Sequence, residues 1–254
     1  MTIIAVFNQK GGVGKTTSSL NLVAALARGG LDPLAIDLDP QAHLTSIGDV
    51  PVASGSDSVF GFYAEARALS DLVRKYPLGG NIIPSHVELS KVDALHGKGL
   101  KSVMRLKTAI EQEMLEQEGA PIVIDCCPML NVLSLNAIFA AGKVLVPISA
   151  DYLAVKGALQ LESTLKALEQ VVKKRIARRY VLTRYDARRR MTRDIEAQLR
   201  ERFGAELCTA HITENVSLAE SPAYNKDIFS HAPHSQGAKD YDALVTELAA
   251  AGFI

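Results

Sequence analysis

Residues 3–17, IIAVFNQKGGVGKTT, constrain this chain more than any other stretch. An unbroken apolar run, 3–7, meets a turn bearing three glycines. The turn opens onto a helix-forming segment that runs from 15 to about 28, where Gly29 and Gly30 stop it. A short apolar run without polar alternation reads as a strand covered on both faces. A strand, a glycine loop and a helix start in succession gather backbone N–H groups and the positive end of a helix at one point. Such a point binds anions.

The rest of the chain repeats the alternation. Continuous apolar strands are predicted at 33–39, 81–85, 121–126, 143–149 and 179–185, with helical stretches between them. One of these stretches, 101–114, reads as a single amphipathic helix, and a closing helix follows near the C-terminus. Residues 48–60, rich in Gly, Ser and Asp, read as an exposed loop. The predicted class is α/β: a predominantly parallel twisted sheet with helices on both faces, in the manner of phosphate-loop NTPases. With 254 residues, 48% hydrophobic, and no composition break, one domain over 1–254 is expected. There is no 18-residue apolar run and no signal peptide, and three cysteines fit no disulfide framework. A cytoplasmic protein with reduced thiols is expected.

The phosphate-loop pattern G-x-x-x-x-G-K-[ST] is incomplete, because Gln9 stands where its first glycine belongs. Its chemistry is nonetheless present. Gly11, Gly12, Val13, Gly14, Lys15, Thr16 and Thr17 are placed to wrap phosphate oxygens. Lys15 would neutralise the β- and γ-phosphates, and the Thr16 hydroxyl would hold Mg²⁺. Lys10 is a second lysine at the lip of the same loop. By physics alone it reads equally as a solvated loop lysine.

The stretch KGGVGKTT (10–17) resembles the deviant Walker A signature of the ParA/MinD family of ATPases. DLDPQAHLT (37–45), VIDCCP (123–128), residues 135–161 and residues 231–248 are similar to further family segments, in the family's order. The resemblance implies roles for the matched residues. Lys10 would act in trans, on the nucleotide of a partner subunit. Asp39 would be the catalytic aspartate that orients the attacking water, although beside Pro40 it reads also as a turn cap. Asp125 would hold Mg²⁺ through water, with a turn carboxylate as the alternative, and Asp37 would help the Mg²⁺ shell. ATP and Mg²⁺ are the implied cofactors.

Departures from the family pattern are also legible. Cys127 replaces a proline, and the Cys126–Cys127 pair reads as small buried core thiols rather than a redox or metal site. His231 and His234 lack further ligands for a metal. Thr213 replaces a proline that flanks adenine, and Glu214 and Ser217 replace basic residues.

Overall charge is zero, yet residues 171–202 hold twelve Lys or Arg against four acidic residues. Lys173, Lys174, Arg175, Arg184, Arg188, Arg189, Arg190 and Arg193 are the candidate contacts for a phosphate backbone. In 188–203, Met191, Ile195, Leu199 and Phe203 recur every fourth residue as a buried stripe, leaving the arginines outside. A solvated face with scattered ion pairs is the alternative. No base-reading pattern is present, so non-specific binding to double-stranded DNA is expected.

The expected function is therefore a ParA-type ATPase. It would form an ATP-bound homodimer, bind nucleoid DNA and position a DNA or protein cargo, with slow hydrolysis stimulated by a small ParB-like activator. A MinD-like membrane ATPase would need a basic amphipathic C-terminal helix, but the chain ends VTELAAAGFI. A metabolic ligase on the same scaffold is the third class. The chain begins at its first strand, so no N-terminal operator-binding extension is expected.

Overall fold

The computed structural model describes residues 2–95, 97, 99–113 and 120–254. The first half runs β1 (Ile3–Val6), α1 (Lys15–Arg28), β2 (Leu34–Leu38), α2 (His43–Ile47), α3 (Val59–Glu65), β3 (Arg74–Lys75), β4 (Asn81–Ile83), α4 (Val92–Leu95), α5 (Leu100–Val103) and α6 (Arg105–Gln112). The second half runs β5 (Ile122–Cys126), α7 (Val132–Ala141), β6 (Lys143–Ser149), α8 (Ala154–Val172), β7 (Ala177–Tyr185), α9 (Arg190–Phe203), β8 (Leu207–Thr213), α10 (Val216–Glu220), α11 (Ile228–His231) and α12 (Gln236–Ala250).

The strands form one sheet in the order β3-β4-β2-β5-β1-β6-β7-β8. Every pairing is parallel except β3 with β4. Alternation along β1 explains the two layers. Ile3, Ala5 and Phe7 enter one core, with side chains from α3, α6, α7, α8 and α9; Ile4 and Val6 enter the other, with α1, α11 and α12. Because both faces are buried, the central strands carry almost no polar residue until their C-terminal ends, where Asp37 and Asp125 stand side by side in register.

Three expectations need correction, and one strand goes unpredicted. The predicted helix over 101–114 is two helices, α5 and α6, and residue 114 lies outside the described residues. The cause is Asn136 of α7. Its Oδ1 accepts from Leu106 N at 2.9 Å and its Nδ2 donates to Ser102 O at 2.9 Å, so one side-chain amide occupies both ends of a helical hydrogen bond.

Residues 48–60 are not simply exposed. Val50, Val59 and Phe60 are buried, and Ser58 caps α3 by accepting from Phe60 N. The buried stripe of α9 is Thr192, Ile195, Leu199 and Phe203, while Met191, in the first turn, is 44% exposed. Finally, β8 is an edge strand of mixed polarity that alternation alone does not reveal.

Candidate functional site

The loop between β1 and α1 is held from both sides. Asn8 Nδ2 donates to Pro147 O at 2.7 Å, and Thr183 Oγ1 donates to Val13 O at 2.9 Å. Gly12 and Gly14 have φ of 71° and 86°, the left-handed region where a side chain is strained. A Cβ at Gly11 or Gly12 would meet nothing within 4 Å, so there is room for a ligand against the loop.

Lys15 is buried, and its Nζ donates to the Lys10 carbonyl at 3.0 Å. Burial lowers its pKa, and the negative charges of Asp125 and then Asp39 oppose that shift. A cation so placed favours an incoming anion.

Asp125 closes the other side. Its Oδ2 accepts from Thr16 Oγ1 and its Oδ1 from Ser19 Oγ, both at 2.8 Å. Burial, then the charge of Asp37, raises its pKa to about 7, against those two hydrogen bonds. Ser19 was not foreseen, although it lies one helical turn after Lys15 and on the same face.

Asp37 is also fully buried, but its oxygens are occupied. Oδ1 accepts from Asp39 N, and Oδ2 accepts from Thr45 N and Oγ1 at 3.0 and 2.7 Å. It anchors the 39–45 turn, and these bonds leave it beside the Thr16–Asp125 pair as a support. Burial raises its pKa too.

Asp39 is nearly buried at the end of β2, and its Oδ1 accepts from Gln41 N at 2.9 Å. That bond is the turn-cap geometry. Its negative charge also acts on Lys15, after that of Asp125.

Thr16 and Asp125 supply the hydroxyl and carboxylate that Mg²⁺ favours. Among the described residues no three His, Cys, Asp or Glu side chains converge on a metal position. Cys126 and Cys127 are buried, and burial raises both thiols, Cys127 to about 11. They are protonated core groups, as expected.

Asp125→Asn should stabilise the ligand-free protein. The raised folded-state pKa means that the folded chain keeps a proton which the unfolded chain, with a carboxyl pKa near ~4, has lost. Stability therefore falls as pH rises from about 4 to about 7. Removing the charge should raise the melting temperature at pH 8 by ~3–6 °C, on the order of 1–2 kcal/mol. It should also abolish stabilisation by Mg²⁺ with nucleotide. Calorimetry at pH 5 and pH 8 checks both; a lower melting temperature at pH 8 would contradict the assignment.

Lys10 does not point to its own phosphate site. Its Nζ donates to Asp151 Oδ1 at 2.6 Å, in a pair about 40% exposed on each side. Sequence reading expected an outward lysine and missed Asp151, which stands 141 positions away. The exposed apolar side chains of Met129, Tyr152 and Leu153 lie in the segments next to this pair and to Cys127.

Beside the loop lies a cleft of about 350 Å³ between Gly14 and Thr17 on one side and Thr213, Glu214 and Asn215 on the other, with Tyr241 and Arg184 completing it. Thr213 N and Oγ1 donate to Asp240 Oδ2 at 2.8 and 2.6 Å, so this threonine is fixed by α12.

The basic block divides. Lys173, Lys174 and Arg175 follow α8 at the edge of the sheet where β7 begins. Arg188, Arg189, Arg190 and Arg193 lie beyond its other end. Nine residues of strand separate them, roughly 30 Å. Arg184 belongs to the cleft, with φ 51°. Arg175 pairs with Glu206, and Arg178 is buried between Glu162 and Glu169. Arg188 and Arg189 pair with Asp186, Arg190 with Asp194, and Arg193 donates to Ala187 O. The ion-paired face weighed above is therefore part of what the structure contains. Exposed cations stand at both ends of β7: Lys173, Lys174 and Arg175 where it begins, and Arg184, Arg188, Arg189, Arg190 and Arg193 where it ends.

Comparison with known proteins adds to this geometry. Residues 1–178 match a family model described as an AAA domain. The chain is 38% identical over 250 residues to the chromosome-partitioning ATPase Soj of Thermus thermophilus, across 97% of this chain and 95% of that one. It is 32% identical to the sporulation initiation inhibitor protein Soj of Bacillus subtilis, across 98% and 99%. Among solved structures, cobyrinic acid a,c-diamide synthase from Mycobacterium smegmatis with bound ADP and magnesium superposes with a TM-score of 0.83. That match is 27% identical and covers 98% of this chain and 94% of that one.

Proposed function

Because this chain belongs to the ParA/MinD family of ATPases, on its Soj-like branch, we propose that it works as an ATP-clocked dimer that holds DNA and positions a cargo. It is a ParA-type partitioning ATPase, and its cofactors are ATP and Mg²⁺. When bound, Mg·ATP supplies the phosphoanhydride and the counter-charge. Gly11 to Thr17 bind the phosphates, Lys15 neutralises them and Thr16 is oriented by Asp125. Asp39 orients the attacking water, and Asp37 holds the turn that carries Asp39. The purine sits in the cleft between Thr17 and Asn215. One domain, 1–254, does all of this.

The observation that carries the reading is the division of labour between the two lysines. Lys15 turns into the loop, whereas Lys10 is held at the lip by Asp151. An exposed ion pair is worth ~0–1 kcal/mol, so Lys10 leaves it at little cost when a second nucleotide-bound subunit arrives. Two copies then close face to face, with hydrolysis slow until a small activator of the ParB kind docks. The identity to Soj exceeds that to the diamide synthase over the same span, so partition is preferred to metabolic ligation. Among the described residues no helix is long and apolar enough to cross a membrane. The proposed location is the cytoplasm, on the nucleoid.

Arg188, Arg189, Arg190 and Arg193 are proposed to meet the phosphate backbone, and dimerisation doubles that face. A salt titration on two unrelated duplexes, with a non-hydrolysable ATP analogue, tests it. Equal affinities are expected. Changing Arg188, Arg189 and Arg190 to Glu should weaken both alike and flatten the slope of log K against log salt by ~2–3 per subunit. Strong preference for one duplex, or an unchanged slope, would overturn the assignment.

A further inference from the structure

Glu214 stands where two surfaces meet. It forms part of the wall of the cleft beside the loop, opposite Gly14 and Thr17. Its backbone N donates to Tyr185 O at 3.1 Å, which extends the pairing of β8 with the end of β7. Its carboxylate accepts from Arg189 Nη2 at 3.2 Å. Arg189 is thus bracketed, because its Nε also meets Asp186 Oδ2 at 3.1 Å. Asp186 in turn accepts from Arg188 Nε and Nη2 at 2.9 and 3.0 Å.

The two carboxylates around Arg189 differ in their freedom. The Asp186 side chain is 11% exposed and lies in the same turn as the arginines it holds. Glu214 is 55% exposed and comes from the segment that follows β8. Only Glu214 touches both the cleft and the cationic face. A nucleotide whose purine enters that cleft competes for space with a carboxylate on its wall, and its phosphates on the adjoining loop repel that charge. The ion pair that opposes this displacement is exposed and weak.

We propose that Glu214 couples the cleft to the cationic face: with the cleft free it holds Arg189 in a local ion pair, and a nucleotide in the cleft displaces it and releases Arg189 to a DNA phosphate. This rests on the reading of Arg188–Arg193 as the polyanion surface. It assigns to Glu214 a negative control over that surface, so that the ligand-free chain binds DNA less than its arginines alone would dictate.

The test compares wild type, Glu214→Gln, Arg189→Gln and the double variant on one duplex, each with and without a non-hydrolysable ATP analogue. Without nucleotide, Glu214→Gln should bind ~3–10-fold more tightly than wild type, with a salt slope steeper by ~1, the signature of one added phosphate contact. With the analogue the two should agree within ~2-fold. The gain should vanish in the double variant. Equal tightening in both nucleotide states would make Glu214 a simple repulsive charge and overturn the coupling. No tightening, or a gain that survives Arg189→Gln, would overturn it as well. If wild type with the analogue fails to bind duplex at all, the DNA reading falls and the coupling falls with it. If wild type binds and the arginine-to-glutamate variant weakens it, a negative result for Glu214→Gln strikes the coupling alone.

Discussion

Lys15→Ala should abolish nucleotide binding, by about 100-fold or more, while leaving the fold intact. A hydrogen bond to a charged group is worth up to ~3 kcal/mol, and at Lys15 the charge is also the counter-ion of the phosphates. The buried ammonium has one hydrogen-bond partner of its own chain, the Lys10 carbonyl, and a pKa lowered by burial. Removing it removes a group that the ligand-free protein carries at some cost, so stability without nucleotide should hold or rise. Calorimetric titration with Mg·ATP and a thermal melt measure the two effects. Wild-type affinity in the variant would displace Lys15 from its role. Asp39→Ala provides the contrast: Asp39 bonds to Gln41 N in its own turn and lies outside the phosphate wrap, so binding should persist while turnover is lost. Undiminished hydrolysis would take Asp39 out of the mechanism.

Lys10→Ala should have the opposite profile. Monomer binding of ATP should stay within ~2-fold, because Lys10 Nζ is engaged with Asp151 and not with the loop. ATP-driven dimerisation, DNA binding and hydrolysis should be lost together. The reason is electrostatic. Two nucleotides carrying about −4 each face one another across the seam, and bound Mg²⁺ with Lys15 offsets only part of that charge. A lysine from the opposite subunit supplies the remainder at the moment the subunits meet.

Mixing variants gives the decisive result. Lys10→Ala blended with Lys15→Ala should assemble into a heterodimer with one intact composite site. Its ATP sits in the Lys10→Ala subunit and meets Lys10 of the partner. Light scattering with a non-hydrolysable analogue should show mass gained in the blend and in neither variant alone. If Lys10→Ala dimerised as well as wild type, the lip lysine would be an ordinary surface cation tied to Asp151.

What could be read directly was what is local along the chain. The phosphate loop, residues 8–15, is a run of consecutive backbone conformations. Gly12 and Gly14 with positive φ, a strand before and a helix after can be inferred without knowing what lies elsewhere. The parallel sheet follows from strands that are apolar on both faces, and Asp37 and Asp125 stand out because each carboxylate ends such a strand. The resemblance to the ATPase family drew on the same local motifs, and the comparisons bear it out.

The tertiary structure decided which distant residues meet these motifs. Asn136 splits a helix that periodicity reads as one, because it arrives from α7 between the Ser102 carbonyl and the Leu106 N–H. Asp151 claims Lys10, and Glu214 claims Arg189, from strand ends that only the sheet order brings near. The basic block illustrates the reason most plainly. Residues 173–193 are neighbours in sequence, but β7 carries the chain from the N-terminal end of the parallel strands to their C-terminal end between them. A parallel strand separates its two flanks by its own length, so one charge cluster in the sequence becomes two in space, and only the cluster beyond the C-terminal end of β7 lies beside the nucleotide cleft.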